Sequence, residues 1–161
     1  MADLKITLQE SIVLPNRNKE VLTNTATISG VNQILRRTDT IATDFSGSGI
    51  EILKFVDSEE EQTAGSFVKS DVKYLRITNL DTTNSALIYL VDTNEESVLF
   101  KLEAKKSLMF GNVDFNATQN GDYVVEGVWD EDYYSSFVYY DTIKAKAETA
   151  DLQLEYFVAS A

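Results

Sequence analysis

Polar and apolar residues alternate along most of this chain, and the repeat of two predicts strands. Leu4, Ile6 and Leu8 fall on one face, with Lys5 and Thr7 opposite. Pro15-Asn16-Arg17-Asn18 breaks that run. Thr25 to Ile28 and Asn32 to Ile41 are rich in Thr and Ile, and Gly30 between them predicts a bulge or a turn. Ile50 to Val56 is the next strand candidate, followed by the charged loop Asp57-Ser58-Glu59-Glu60-Glu61.

The middle is patterned most plainly. In Val72 to Thr78, Leu75 and Ile77 alternate with Tyr74 and Arg76. After the turn-rich link 79–84, Ala86 to Val91 is almost wholly apolar, as in a strand covered on both faces. Asp92 to Glu96 turns again, and Val98, Phe100 and Leu102 then share a face. Three strands joined by short polar links predict an antiparallel meander.

Ser107 to Phe110 is a short strand, Asn120-Gly121 a strong turn dipeptide, and Tyr123 to Trp129 a strand with Gly127 inside it. Ser136 to Ala147 and Leu152 to Val158 complete the pattern. Lys144 to Ala150 has helix-forming composition, but Ile143, Ala145 and Ala147 keep the period of two, which favours strand. A last strand beside the previous one would tie down the chain end. Frequent turns between short strands predict an all-β protein, an antiparallel β-sandwich of jelly-roll or Ig-like type. The 161 residues suit a single domain, with 1–20 as an extended N-terminal arm or edge strand. The Gly/Ser cluster 46–49 reads as a loop tip rather than an interdomain hinge.

Composition narrows the chemistry. The chain has no His and no Cys, which removes imidazole-based triads, Cys-His pairs and disulfides. The formal charge of -12 argues against nucleic acid, which wants a basic stripe; the local basic clusters are the pairs Arg36-Arg37 and Lys105-Lys106. The start alternates instead of showing a basic then apolar leader, and no run approaches the roughly 18 apolar residues of a membrane span. The expectation is a protein made in the cytoplasm without a signal peptide, with no membrane partner.

Asp92, Asn94, Glu96 and Glu103 stand at positions 1, 3, 5 and 12 of a calcium-loop count, but Ser97 stands where that loop needs glycine, so a hairpin turn is the better reading. Asp130-Glu131-Asp132 and Glu59-Glu60-Glu61 are read as solvated loops, and nothing sets two carboxylates across a cleft as a glycosidase requires. No catalytic residue, metal ligand or cofactor is assigned. Trp129, Tyr133, Tyr134, Phe137, Tyr139 and Tyr140 crowd into a dozen residues threaded with acids. Trp and Tyr bury much area at low entropy cost, so Trp129, Tyr133, Tyr134, Tyr139 and Tyr140 are the candidate protein interface.

Three segments carry a resemblance: Met1-Ala2-Asp3-Leu4-Lys5-Ile6-Thr7, Asp71-Val72-Lys73-Tyr74-Leu75-Arg76-Ile77-Thr78-Asn79-Leu80, and Phe100-Lys101-Leu102-Glu103-Ala104-Lys105-Lys106-Ser107 followed by Met109-Phe110-Gly111-Asn112. Their order resembles small virion structural proteins of tailed bacteriophages, especially marine and cyanobacterial ones. There, a strand ending in Arg-Ile/Val-Thr-Asn precedes a hairpin and a Lys-Leu-x-Ala-Gly-x-Ser turn; here Lys105 stands at the glycine. The resemblance implies a non-enzymatic virion protein, first a capsid decoration (cement) protein on the outside of the major capsid lattice. Its partners would be the major capsid protein or another virion protein, and a homo-oligomer. The alternatives are a neck, tail or baseplate component, where Thr23 to Thr43 could supply a long hairpin, and a carbohydrate- or receptor-binding module.

Overall fold

In a computed structural model, residues 2–13, 15, 19–43, 47, 49–111 and 140–161 are described. They form eleven strands: β1 (Ala2–Val13), β2 (Lys19–Val31), β3 (Gln33–Ile41), β4 (Ile50–Val56), β5 (Ser66–Val68), β6 (Val72–Asn79), β7 (Ala86–Asp92), β8 (Ser97–Leu102), β9 (Ser107–Gly111), β10 (Tyr140–Ala147) and β11 (Leu152–Ser160). Two short 3-10 turns, Glu59–Glu61 and Lys69–Asp71, accompany them, and there is no α-helix among the described residues. The protein is nearly all-β, a β-sandwich with an added hairpin.

One sheet has the order β5-β4-β10-β7-β8 and the other β3-β11-β6-β9. All neighbours pair antiparallel except β4 and β5, which run parallel at one edge. The core lies between the sheets. Ile143, Ala145 and Ala147 of β10 and Ala86, Ile88 and Leu90 of β7 come from the first sheet. Leu152, Leu154, Tyr156 and Val158 of β11 and Leu75 and Ile77 of β6 come from the second. The alternating runs are thus strands with one face in this core, and Lys144 to Ala147 is strand, not helix. Leu87 and Tyr89 on the other face of β7 are only half-buried, so the apolar run is not fully covered on both faces.

The meander does not form. β7 and β8 are a hairpin, but β6 pairs with β11 and β9, so the 79–84 link crosses from one sheet to the other. β10 and β11 likewise separate into opposite sheets, and β11 is held between β3 and β6 rather than beside β10. Periodicity marks a strand's inner face but not the sheet to which it belongs.

Asn79 anchors the 79–84 crossing. Its side chain is fully buried; Nδ2 donates to the carbonyls of Asn84 (2.8 Å) and Leu102 (3.1 Å), and Oδ1 accepts from the amide of Asp81 (3.0 Å). Asp81 continues the turn, its Oδ1 accepting from the amides of Thr83 and Asn84, each at 2.7 Å. Those bonds hold its carboxyl below the usual carboxylate range. Asn79→Ala leaves three backbone groups without these partners, so the expected cost is about 2–4 kcal/mol in urea unfolding; an unchanged midpoint would show that the crossing does not depend on this amide.

The turn from β8 to β9 closes with the amide of Lys106 donating to Glu103 O at 3.2 Å. Lys105 adopts φ 62, a left-handed conformation that suits glycine at the third position of such a turn. Lys105→Gly is expected to raise stability by about 0.5–1 kcal/mol, because relief of the strained backbone exceeds the entropy glycine adds to the unfolded chain. A drop in melting temperature would show that the bond from Lys105 Nζ to the Leu80 carbonyl matters more.

Candidate interaction surface

Among the described residues, β1 and β2 pair with each other and with no other strand, as an antiparallel ribbon. Twelve residues of β1 span about 40 Å. Gly30, at φ 80, lies in the bulge where the register shifts between Ala2 and Leu4, so the sequence signal at Gly30 marks a bulge. Residues directly opposite each other share a face. One face therefore carries Leu4 with Ile28, Ile6 with Ala26, Leu8 with Asn24, Glu10 with Leu22, and Ile12 with Glu20. The opposite face carries Lys5 with Thr27, Thr7 with Thr25, and Gln9 with Thr23.

The base of the apolar face is covered. Leu4, Ile6, Ile28 and Val31 pack with Tyr74, Phe157 and Ala159 in a second, smaller core. These partners lie on the outer face of the four-stranded sheet, and the Tyr74 and Phe157 rings meet edge-to-face at 5.9 Å. Beyond that contact the ribbon is open: residues 7–13 and 19–25 are all exposed. The apolar stripe nevertheless continues through Leu8, Leu22 and Ile12, the last two 63% and 54% exposed, and Val13 and Val21 add apolar surface on the other face near the tip. The hairpin lies within 2–31, not in Thr23 to Thr43, whose second half is β3. The predicted arm of 1–20 takes in β1 and the first residues of β2.

The sheet beneath the ribbon has its own polar feature. Arg36 on β3 donates to Glu155 Oε2 from Nε at 2.9 Å and Nη2 at 2.7 Å. Arg76 on β6 donates to Glu155 Oε1 at 2.7 Å. One carboxylate thus spans three strands and serves two guanidinium groups, leaving a local positive surplus on an acidic protein. Arg36 is 69% exposed, and Ile34, two residues away on the same face, is also exposed. Arg37 has its own partner, its Nε donating to Asp39 Oδ1 at 2.9 Å.

The predicted aromatic interface divides. Trp129, Tyr133, Tyr134 and Tyr139 lie outside the described residues, as do Phe137 and the Asp130 to Asp132 cluster. Tyr140 opens β10 opposite Asp92, is half-buried and packs against the inter-sheet core. The acids of the calcium-loop count do not converge. Asp92 Oδ1 accepts from the amides of Asn94 and Glu96, closing the β7–β8 turn, whereas Glu103 is in the turn after β8. Glu59, Glu60 and Glu61 are exposed on a 3-10 turn.

Lys69 is the other concentration of charge. It is buried, and its Nζ lies 2.7 Å from Asp57 and 2.6 Å from Asp141. Burial disfavours the ammonium, but hydrogen bonds to Asp141 and Asp57 outweigh it and raise the lysine pKa. A lysine nucleophile or base needs the opposite shift. The group instead ties the strands β4, β5 and β10 together at one edge.

No protein-family model, curated protein or solved structure matches this chain.

The Arg36 hydrogen bonds, opposed by burial and reinforced by Arg76, lower the Glu155 pKa. A carboxylate with a depressed folded pKa adds stability that is present above its unfolded pKa, near 4.3, and is lost as pH falls through the folded value. Glu155→Gln is expected to cost about 1–2 kcal/mol at pH 7, with the gap to the parent closing as the pH falls below about 4. A gap that stays constant down to pH 2 would show that packing, not charge, is what Glu155 supplies.

Proposed function

We propose that this chain is a non-enzymatic structural protein of a tailed-bacteriophage particle, a decoration protein bound to the outside of the major capsid lattice. The observation that carries the reading is the ribbon: a rigidly based hairpin whose free half keeps apolar side chains in water. Such exposure is costly without a partner and is characteristic of assembly surfaces. The three segments behind the resemblance fall on β1, on β6 and on the β8–β9 turn, and the left-handed backbone at Lys105 suits a pattern with glycine there. The covered base fixes the direction of the arm, so little order is lost when the tip docks.

A neck, tail or baseplate component is the second reading, favoured by the length of the ribbon, which could bridge adjacent rings. Cryo-electron microscopy of purified particles separates the two. The expected result is density for the sandwich on the outer capsid lattice, with the ribbon against a neighbouring protein. Density confined to the neck or tail would move the assignment to the second reading. Absence from the particle would overturn both.

A further inference from the structure

We infer that the free half of the ribbon docks on a second copy of this chain, on the strip of the four-stranded sheet's outer face that the resident ribbon base leaves open. This deepens the assembly reading and rests on it for the idea that the arm is a contact surface. Two observations select the partner. The first is continuity: the same apolar stripe that seats Leu4 and Ile6 on Tyr74, Phe157 and Ala159 runs on through Leu8, Leu22 and Ile12. Leu4, Ile6, Ile28 and Val31 of the same chain cover that apolar surface, so the arm of a second copy has its margin to dock on. Beside it stands exposed Ile34, opposite Ala159 on the edge strand β3.

The second observation is charge. The free half of the stripe is flanked by Glu10 and Glu20, each paired across the ribbon with one of its apolar residues. The open strip of the sheet carries Arg36, opposite Phe157, in a cluster where two arginines share one carboxylate. On its stripe face the arm is acidic, with Lys19 set opposite Val13 on the other face, so that face and the basic strip are complementary, whereas two stripe faces would set glutamates against glutamates. In a chain of net charge -12, that local match offsets the general repulsion between copies.

The contact joins different patches on the two copies. It is heterologous, so successive copies form a ring if the rotation closes and a filament if it does not.

Sedimentation velocity of the purified full chain over a concentration series tests this. An arm variant, Leu8→Thr with Ile12→Thr and Leu22→Thr, keeps strand-forming residues while removing the stripe. A face variant combines Ile34→Thr with Arg36→Glu, and Ile34→Thr alone serves as the milder change; circular dichroism confirms that each is folded. The parent should self-associate, each variant should do so at least about tenfold more weakly, and a mixture of arm and face variants should form dimers but nothing larger, because each retains one working half. Monomeric parent throughout would overturn the inference, while localisation on particles would still stand or fall separately. Loss of assembly in the arm variant but not in the face variants would overturn it in favour of arm-to-arm pairing.

Discussion

The fold depends on burying the facing sides of β10 and β11 against each other. These consecutive strands occupy interior positions in opposite sheets, β10 between β4 and β7 and β11 between β3 and β6. Ile143, Ala145 and Ala147 meet Leu152, Leu154, Tyr156 and Val158 in one core, all nearly inaccessible to water. Every other strand of the sandwich is placed through one of these two or through a neighbour of one. Because β3 pairs with β11 across most of the chain, the sheets cannot close until the C-terminal strands arrive. Non-local pairing of that kind makes for slow folding and leaves edges open meanwhile.

Tyr156 and Asn79 are polar side chains with defined tasks in burying this core. Tyr156 places its ring between the sheets and its hydroxyl donates to Asp39, which also accepts from Arg37. Burial first, and then that bond, push the phenol's pKa well above the ordinary value. Asn79 satisfies three backbone groups at the point where the chain changes sheets, a place where regular pairing cannot satisfy them. Gly49, at φ 86, lies so close to β10 that a Cβ there would stand 2.1 Å from the Ala145 carbonyl oxygen. The close approach at the entry to β4 and the polar anchor at the exit from β6 both fix how the sheets connect.

Much of this was legible in the alternation, and the failures have a common cause. Leu152, Leu154, Tyr156 and Val158 announce a strand with one buried face, and β11 is that strand. The same pattern cannot say that β6 and β7 part company at Asn79, because inner-face residues of either sheet look alike. Leu4, Ile6 and Leu8 read as one apolar face, which is right, but the sequence treats them as equals. The structure buries the first two on Tyr74 and Phe157 and leaves Leu8 in water. That difference is the candidate site, and it arises from where the sheet ends, which no local pattern encodes. Glu10, Glu20 and the break at 15–18 were the available signals of a free hairpin. The sequence reads 1–20 as an extended arm or edge strand and the tyrosine and tryptophan cluster as the interface, and of that cluster only Tyr140 is among the described residues.

Charge and the ribbon make physical sense together. An isolated two-stranded hairpin is marginal in water, so the ribbon owes its order to the base contact with the sheet. Extending it beyond that contact adds exposed backbone edges and apolar side chains, which on a neutral protein would invite indiscriminate pairing. A surplus of acid over the whole chain suppresses such encounters at a distance, within a screening length of roughly 8 Å at physiological ionic strength. At contact distance the Arg36, Glu155 and Arg76 cluster reverses the local sign. Repulsion at long range and complementarity at short range would together admit a partner that brings an acidic apolar strip in the right register, as the proposed second copy does, and disfavour one that does not.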